Sequence, residues 1–226
     1  SILNVSFFLP SSIIVVSWDS NPFAHLSKEN GGQASARNLG LKYATGKYLN
    51  FLDSDDKLSK NTLKRVNRFF SKHYDEIDMV SIPIILFERI EGEHRLNFKY
   101  EKEEVIDLNE KPNFCQLSAS SAFFKKEAFN QEFNTELVIT EDGFLINKML
   151  GNKRKYGVVN NCEYLYRQRY SQNSTIDTAK DDEKYLKRTT SLPFYQKVHV
   201  FCTKYVNIHY LCTEKDITTY HTIDKL

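Results

Sequence analysis

The segment from Glu29 to Leu58 constrains the fold more than any other part of the chain. Its residues 33–44 carry apolar or small side chains at a mixed helical spacing, which predicts a helix. Gly46 follows the end of that helix, where a left-handed backbone favours glycine. The apolar run from Tyr48 to Leu52 comes next, interrupted only by Asn50. Such a run is typical of a strand buried on both faces, as in a parallel sheet covered by helices.

Three carboxylates, Asp53, Asp55 and Asp56, follow this apolar strand directly. In open α/β sheets, ligands bind beyond the carboxyl ends of the strands. Clustered acids are unfavourable unless a cation or ligand lies among them. The D-x-D spacing of Asp53 and Asp55 therefore indicates a site for a metal-bound, phosphate-bearing substrate. The alternative is a turn in which these acids only form capping hydrogen bonds.

Two apolar strands are predicted near the start of the chain, at Val5–Leu9 and Ile13–Val16, with only three residues between them. A parallel pair needs a crossover of a dozen residues or more. The two strands therefore form an antiparallel hairpin, or residues are absent between Pro10 and Ile13. The same alternative applies between Asp19 and Lys28, where a helix is expected.

The rest of the chain is expected to alternate between strands and helices. Further strands are expected at 79–87, 117–124 and 158–167, and Pro83 favours an edge or a bulge in the first of them. Further helices are expected from residue 60, at 126–129 and at 142–150.

The bulk properties exclude several classes of protein. The chain has 226 residues, enough for one substantial core or for a domain with an appendage. Its formal net charge of +2 argues against a dedicated nucleic-acid-binding protein. The four cysteines are scattered without a C-x-x-C pair, which favours reduced thiols in the cytoplasm over a zinc or redox site. No apolar run is long enough to span a bilayer, so we expect a cytoplasmic protein, with the inner face of the membrane as one location.

The pattern N-G-G, A-R-N-x-G, A-x-G-x-Y and F-L-D-S-D-D between residues 30 and 56 resembles bacterial family 2 glycosyltransferases of the GT-A fold. The pair Glu141-Asp142 and the segment Tyr166–Arg169 resemble later motifs of the same family, in the same order. The resemblance covers residues 1–176. It implies an α/β GT-A domain, Rossmann-like with a mostly parallel sheet flanked by helices, followed by a C-terminal helical extension at 177–226.

The resemblance also implies roles for individual residues. Asp55 would contact Mn²⁺ or Mg²⁺, and Asp53 would contact the metal and the ribose or diphosphate of the nucleotide. A divalent cation neutralises the charge that develops on the departing diphosphate. Asp19 stands where the family usually has an acidic pair that holds the base. The remaining nucleotide-binding residues implied by the resemblance are Gly31, Gly32, Arg37, Arg167 and Arg169, with a surface position as the alternative for the three arginines.

An acceptor hydroxyl has a high pKa and needs a base as it attacks the sugar. The resemblance implies Asp142 as that base, with Glu141 beside it orienting the acceptor. The alternative is that both acids only stabilise a helix N-terminus through the helix dipole. A single displacement assisted by one base inverts the anomeric configuration, in contrast to the two-step reaction of retaining enzymes.

These expectations describe an inverting glycosyltransferase that moves a sugar from a UDP-linked donor to a hydroxyl of a bacterial surface glycan. The acceptor class would be a capsule or teichoic-type polymer, including polyol phosphates. The C-terminal extension would dock the acceptor, a partner domain or the membrane surface, or would only pack as a helix pair, and the chain would suit a domain of a longer polymerase. One rival is a carbohydrate-binding or scaffold domain that kept the fold without turnover. Another is a nucleotidyltransferase, which would need a glycine-rich start that is not present in this chain.

Overall fold

The computed structural model describes residues 2–5, 13–18, 28–114, 116, 118–136 and 141–170. The predicted C-terminal helical extension at 177–226, the boundary at 176 and Asp19 lie outside these residues. For the first two strands only the backbone is described.

The described residues form strands and helices that follow the predicted order closely. The strands are β1 (Ile2–Val5), β2 (Ile13–Trp18), β3 (Tyr48–Asp53), β4 (Lys57–Leu58), β5 (Met79–Ser81), β6 (Ile84–Glu88), β7 (Gly92–Glu93), β8 (Glu104–Asp107), β9 (Ala122–Lys125), β10 (Lys155–Val158) and β11 (Tyr164–Gln168). The helices are α1 (Gly32–Tyr43), α2 (Thr62–Lys72) and α3 (Glu141–Lys153), with 3-10 turns at Arg95–Tyr100 and Pro112–Phe114. Pro83 lies between β5 and β6, so the single strand expected at 79–87 is two strands that belong to different sheets. The helix predicted at 126–129 is a short turn, since so few residues cannot nucleate a helix.

Two sheets are present among the described residues. One has seven strands in the order β1-β2-β3-β9-β5-β10-β8, and the other has four in the order β4-β11-β6-β7. The strands β5 and β10 pair in parallel, as do β6 and β11. The other described ladders are antiparallel. They include β1–β2, which has the antiparallel direction of the hairpin weighed above, although β1 spans Ile2–Val5 instead of the expected Val5–Leu9.

The α/β class is confirmed, but the expected mostly parallel pairing is corrected to a mixed sheet. The apolar run of β3 showed only that both faces of the strand are buried. Burial on both faces does not set the direction of the neighbouring strands, and β3 is flanked by the antiparallel strands β2 and β9.

Strand β3 lies between two apolar layers. Leu49 and Phe51 pack into a cluster that also contains buried side chains of α1 and α3. Tyr48 points into a second cluster, which contains Val66 and Phe70 of α2. Helices therefore cover both faces of the large sheet, as the apolar run predicted. None of the helices described is long and apolar enough to cross a membrane.

Gly157 in β10 is packed so closely that a larger residue cannot fit. A Cβ atom there would lie 2.4 Å from Cε1 of Phe69 and 2.9 Å from Cδ1 of Ile77. We expect Gly157→Ala to lower the free energy of unfolding by about 1–3 kcal/mol, because the core would be overpacked. Urea denaturation at equilibrium measures this loss.

Gly151 in α3 provides the control, since a Cβ there meets no atom within 4 Å. Gly151→Ala should be neutral or stabilising by about 0.5–1 kcal/mol, because alanine has the higher helix propensity. Equal stabilities of the two variants would contradict the packing argument.

Candidate active site

The end of β3 and the turn that follows it carry the three carboxylates Asp53, Asp55 and Asp56. Asp53 is the last residue of β3, and the Asp56 N–H donates a hydrogen bond to the Asp53 carbonyl at 3.1 Å. Asp56 is buried, and its carboxylate accepts hydrogen bonds from the Tyr164 hydroxyl at 2.5 Å and from the Arg167 N–H at 2.8 Å. Burial raises the pKa of Asp56 to about 7, although both hydrogen bonds act to lower it. The Asp56 carboxylate thus ties the turn to β11.

Arg37 in α1 joins this turn to the start of α3. Its Nη1 donates to Oε1 of Glu141 at 2.9 Å and also to Oδ1 of Asp142. Its Nη2 lies 3.7 Å from Oδ1 of Asp53. The Arg37 side chain is only 2% exposed. The alternative of a surface arginine is therefore wrong, and the predicted nucleotide contact of Arg37 stays a prediction.

The electrostatics of this cluster follow from three carboxylates facing one guanidinium. Burial acts to lower the pKa of Arg37, but the carboxylates of Asp142, Asp53 and Glu141 together outweigh it and keep Arg37 charged. Burial, aided by the charges of Asp142 and Asp55, raises the pKa of Asp53 to about 6 despite Arg37. Burial and the charge of Asp142 also raise the pKa of Glu141. The cluster has an excess of negative charge, which favours the approach of a cation.

Residues 118–122 place two further groups against the carboxylates. The Ala119 N–H donates to Oδ2 of Asp142 at 2.9 Å, and the Ser120 hydroxyl donates to Oδ2 of Asp53 at 3.4 Å. Asn50, the single polar residue in the apolar part of β3, donates from its amide to the carbonyls of Ser120 and Ala122, both at 2.8 Å. Sequence reasoning missed these contacts. The interruption of the apolar run by Asn50 was the one signal of them.

Gln116 holds the same segment from its other side. Its amide nitrogen donates to the Ser118 carbonyl at 2.8 Å and to the Ser121 hydroxyl at 3.1 Å. Its amide oxygen accepts hydrogen bonds from the Lys99 ammonium at 2.5 Å and from the Ser81 hydroxyl at 2.9 Å. Because this network is buried and hydrogen-bonded, it fixes the segment that contacts Asp142 and Asp53.

Arg167 in β11 and Arg169, which directly follows the strand, extend the site from the turn. Arg169 Nη2 lies 2.6 Å from Oδ2 of Asp55. Arg167 donates to both carboxylate oxygens of Glu88, at 2.6 and 3.0 Å. The side chains of Arg167 and Arg169 are 42% and 50% exposed. A diphosphate could reach both of them, and this role remains a prediction.

Gly31 and Gly32 precede Arg37 at the N-terminus of α1, and both are exposed. Gly32 adopts a φ of +78°, a left-handed conformation that favours glycine, and its N–H donates to the Asn30 side chain at 3.2 Å. Backbone N–H groups at a helix N-terminus suit an anion. A nucleotide contact by these glycines stays a prediction, and Asp19 lies outside the described residues.

Asp53 and Asp55 suit a divalent cation on chemical grounds. Oδ1 of Asp53 is buried and has no hydrogen-bond partner among the described residues, and the Asp55 side chain is 25% exposed. Mg²⁺ and Mn²⁺ prefer oxygen ligands and commonly use one or two carboxylates together with substrate phosphates. Among the described residues there is no group of three or more His, Cys, Asp or Glu side chains that could hold a metal ion without such help. The two aspartates therefore fit a cation that arrives with a phosphate-bearing ligand.

Solved structures with a similar fold support the assignment of this chain to the GT-A fold. Staphylococcus aureus TarS (residues 1–349, in complex with UDP) superposes with a TM-score of 0.58 at 20% identity, covering 86% of this chain and 56% of that chain. The predicted GT-A fold is thereby confirmed.

Curated relatives of the chain take part in teichoic acid biosynthesis. The minor teichoic acid biosynthesis protein GgaB of Bacillus subtilis (strain 168) is 41% identical over 73% of this chain, which corresponds to 18% of GgaB. GgaA of the same organism is 30% identical over 69% of this chain, which corresponds to 36% of GgaA. The chain thus spans well under half the length of these relatives.

The family model of glycosyl transferase family 2 matches residues 19–146, which include the whole of β3 with its carboxylates and the Glu141-Asp142 pair. With the sequence motifs, the fold and the match to this family in agreement, the chain is a member of glycosyl transferase family 2.

Proposed function

We propose that this chain catalyses metal-assisted transfer of a sugar from a UDP-linked donor to a hydroxyl of a teichoic-type polymer. The observation that carries the proposal is the meeting of Asp53 with Glu141 and Asp142 around the buried Arg37. It is supported by the names of the relatives GgaB and GgaA and by the TarS structures in complex with UDP and with UDP-GlcNAc.

Asp142 is the base in this proposal. Its side chain is 18% exposed, whereas that of Glu141 is 7% exposed, so Asp142 is the more accessible to an acceptor hydroxyl. Asp142 is held at both oxygens, by Arg37 and by the Ala119 N–H, and an oriented carboxylate can accept the hydroxyl proton as the sugar is attacked. Glu141 contributes to the orientation through their shared contact with Arg37. Both acids also lie at the N-terminus of α3, where the helix dipole stabilises them.

The donor occupies the other side of the cluster. Asp53 and Asp55 would hold Mg²⁺ or Mn²⁺, which when bound neutralises the charge developing on the leaving diphosphate. Arg167 in β11 and Arg169 just after it would contact the diphosphate, exchanging their contacts with Glu88 and Asp55 for phosphate oxygens. A single displacement with Asp142 as the base inverts the anomeric configuration.

Release of UDP from a panel of UDP-sugars with Mn²⁺ tests this function. We expect the wild-type protein to turn over at least one donor, and Asp55→Asn to lower the rate by about 10²-fold or more. That loss equals about 3 kcal/mol of the several that a metal contributes to transition-state stabilisation. Loss of metal binding should be visible separately, as a weaker Mn²⁺ affinity of the variant in a titration.

Asp107→Asn is the matched control, because Asp107 lies in β8 and its carboxylate faces Lys155 at 3.7 Å instead of the cluster. This variant should retain the wild-type rate. Wild-type activity that persists in Asp55→Asn would contradict the metal assignment. Binding of UDP without turnover of any donor would favour a scaffold domain that kept the fold.

A further inference from the structure

We propose that Arg37 is a positioning residue that couples the donor-side carboxylate Asp53 to the base Asp142, and that it does not contact the nucleotide. This inference rests on the proposed function and assigns to Arg37 a role different from the one that the family resemblance implies.

Both terminal nitrogens of the Arg37 guanidinium face carboxylates of the protein, and its Nε is buried without a hydrogen-bond partner among the described residues. One terminal nitrogen bonds to Glu141 and Asp142, and the other faces Asp53. With 2% of the side chain exposed, there is no open face for a phosphate or a base. Arg37 is 104 and 105 residues away from Glu141 and Asp142 in the chain, so it links elements that are remote in sequence.

The guanidinium of Arg37 lies over the ring of Phe133. The guanidinium carbon of Arg37 lies 5.1 Å from the ring centre, a distance at which a cation is attracted by the face of the ring. The backbone of Phe133 is held by Asn38, which donates to its carbonyl at 2.8 Å and accepts from its N–H at 2.7 Å. The consecutive residues Arg37 and Asn38 therefore place both the cation and the aromatic ring that supports it.

This arrangement explains why an arginine is required at position 37. A guanidinium offers several donors in a fixed fork, so it can bridge carboxylates on two sides at once. A lysine ammonium is a compact charge on a flexible stem and cannot hold Asp53 and Asp142 in fixed relative positions. Without the guanidinium of Arg37, the carboxylates of Asp53 and Asp142 would still be present but would no longer be aligned with each other.

Arg37→Lys is the test, with turnover and UDP affinity measured separately. We expect the Kd for UDP with Mg²⁺ to change by no more than about threefold, which is under 1 kcal/mol. We expect kcat to fall by about 10²-fold, the loss associated with a misplacement of about 1 Å in an active site.

Guanidinium ion added to Arg37→Ala should restore part of kcat in a saturable manner, which a purely structural role would not produce. Arg68→Lys, at a 69% exposed position, is the control and should leave both quantities unchanged.

A measurement on the wild-type protein remains decisive if the variants do not fold. Arginine Nε–H signals followed by NMR during titration with UDP and Mg²⁺ should shift for Arg167 and Arg169 and much less for Arg37. The proposal would be overturned if Arg37→Lys weakened UDP binding at unchanged kcat. It would also be overturned if the Arg37 signal shifted more than those of Arg167 and Arg169. A wild-type protein without turnover of any UDP-sugar would instead refute the proposed function.

Discussion

Asp142→Asn is expected to lower the rate of UDP-sugar-dependent transfer by about 10²–10⁴-fold, the range that a positioned general base contributes. The amide has nearly the shape of the carboxylate and retains an oxygen that can accept the hydrogen bond from the Ala119 N–H. It has no negative charge and cannot accept the proton of the acceptor hydroxyl. The expected result is therefore a loss in kcat with little change in the Kd for UDP.

Steady-state transfer with a teichoic-type polymer and isothermal titration with UDP separate these two effects. Glu141→Gln provides the comparison, because Glu141 lies next to Asp142 and shares its contact with Arg37. If Asp142 is the base, Glu141→Gln should lose less activity than Asp142→Asn. The reverse order would assign the base to Glu141, and undiminished turnover in both variants would remove this pair from the chemistry.

Arg37→Met is expected to lower the free energy of unfolding by about 3–5 kcal/mol at neutral pH, the usual cost of removing one partner of a buried ion pair. The methionine fills much of the same volume, so the loss reports charge more than packing. Without Arg37, the carboxylates of Asp53, Glu141 and Asp142 repel one another in a buried site without their shared cation.

This loss should depend on pH in a defined direction. Burial raises the pKa of Asp53 to about 6 and also raises that of Glu141, whereas unfolded carboxyl groups titrate near pH 4. Between those values the folded protein binds more protons than the unfolded chain, so these groups cost stability as the pH rises. Removing the cation raises both pKa values further. The deficit of Arg37→Met relative to wild type should therefore be smaller at pH 5 than at pH 8.

Urea denaturation at the two pH values measures the deficit. Arg68→Met is the control, since Arg68 is 69% exposed and its ion pair with Glu103 contributes at most about 1 kcal/mol. A deficit for Arg37→Met that is below this control, or that is the same at pH 5 and pH 8, would contradict the electrostatic account of the cluster.

Those parts of the site that depend on local sequence were predictable. The helix and the apolar strand between residues 33 and 52 follow from short-range spacing, and the structure contains α1 and β3 at these positions. The position of Asp53 and Asp55 at the end of β3 follows from the same pattern. The direction in which β3 pairs was not predictable, because strand burial reflects the layers on either side of the sheet and not the path of the chain.

The burial of Arg37 was also not predictable from its neighbours in sequence. A charged residue in a short helix favours a surface position, and the carboxylates that reverse this preference lie outside the helix, two of them more than 100 residues away. The support of the site by Gln116, which bonds to Ser81, and by Phe133 depends in the same way on contacts between segments that are remote in sequence. Asn50 is an intermediate case, because a polar residue within a buried strand signals a hydrogen-bonding role without naming its partner.

The hydrogen bonds of the Asp56 carboxylate to β11 connect two parts of the site. The Asp56 carboxylate accepts hydrogen bonds from both the Tyr164 hydroxyl and the Arg167 N–H. The turn that contains Asp55 is therefore coupled to β11, which carries Arg167 and directly precedes Arg169. We therefore expect this turn and β11 to move together. Under the proposed function, release of the nucleotide would then depend on rotation of the arginine side chains, which change rotamer in picoseconds to nanoseconds at exposed positions.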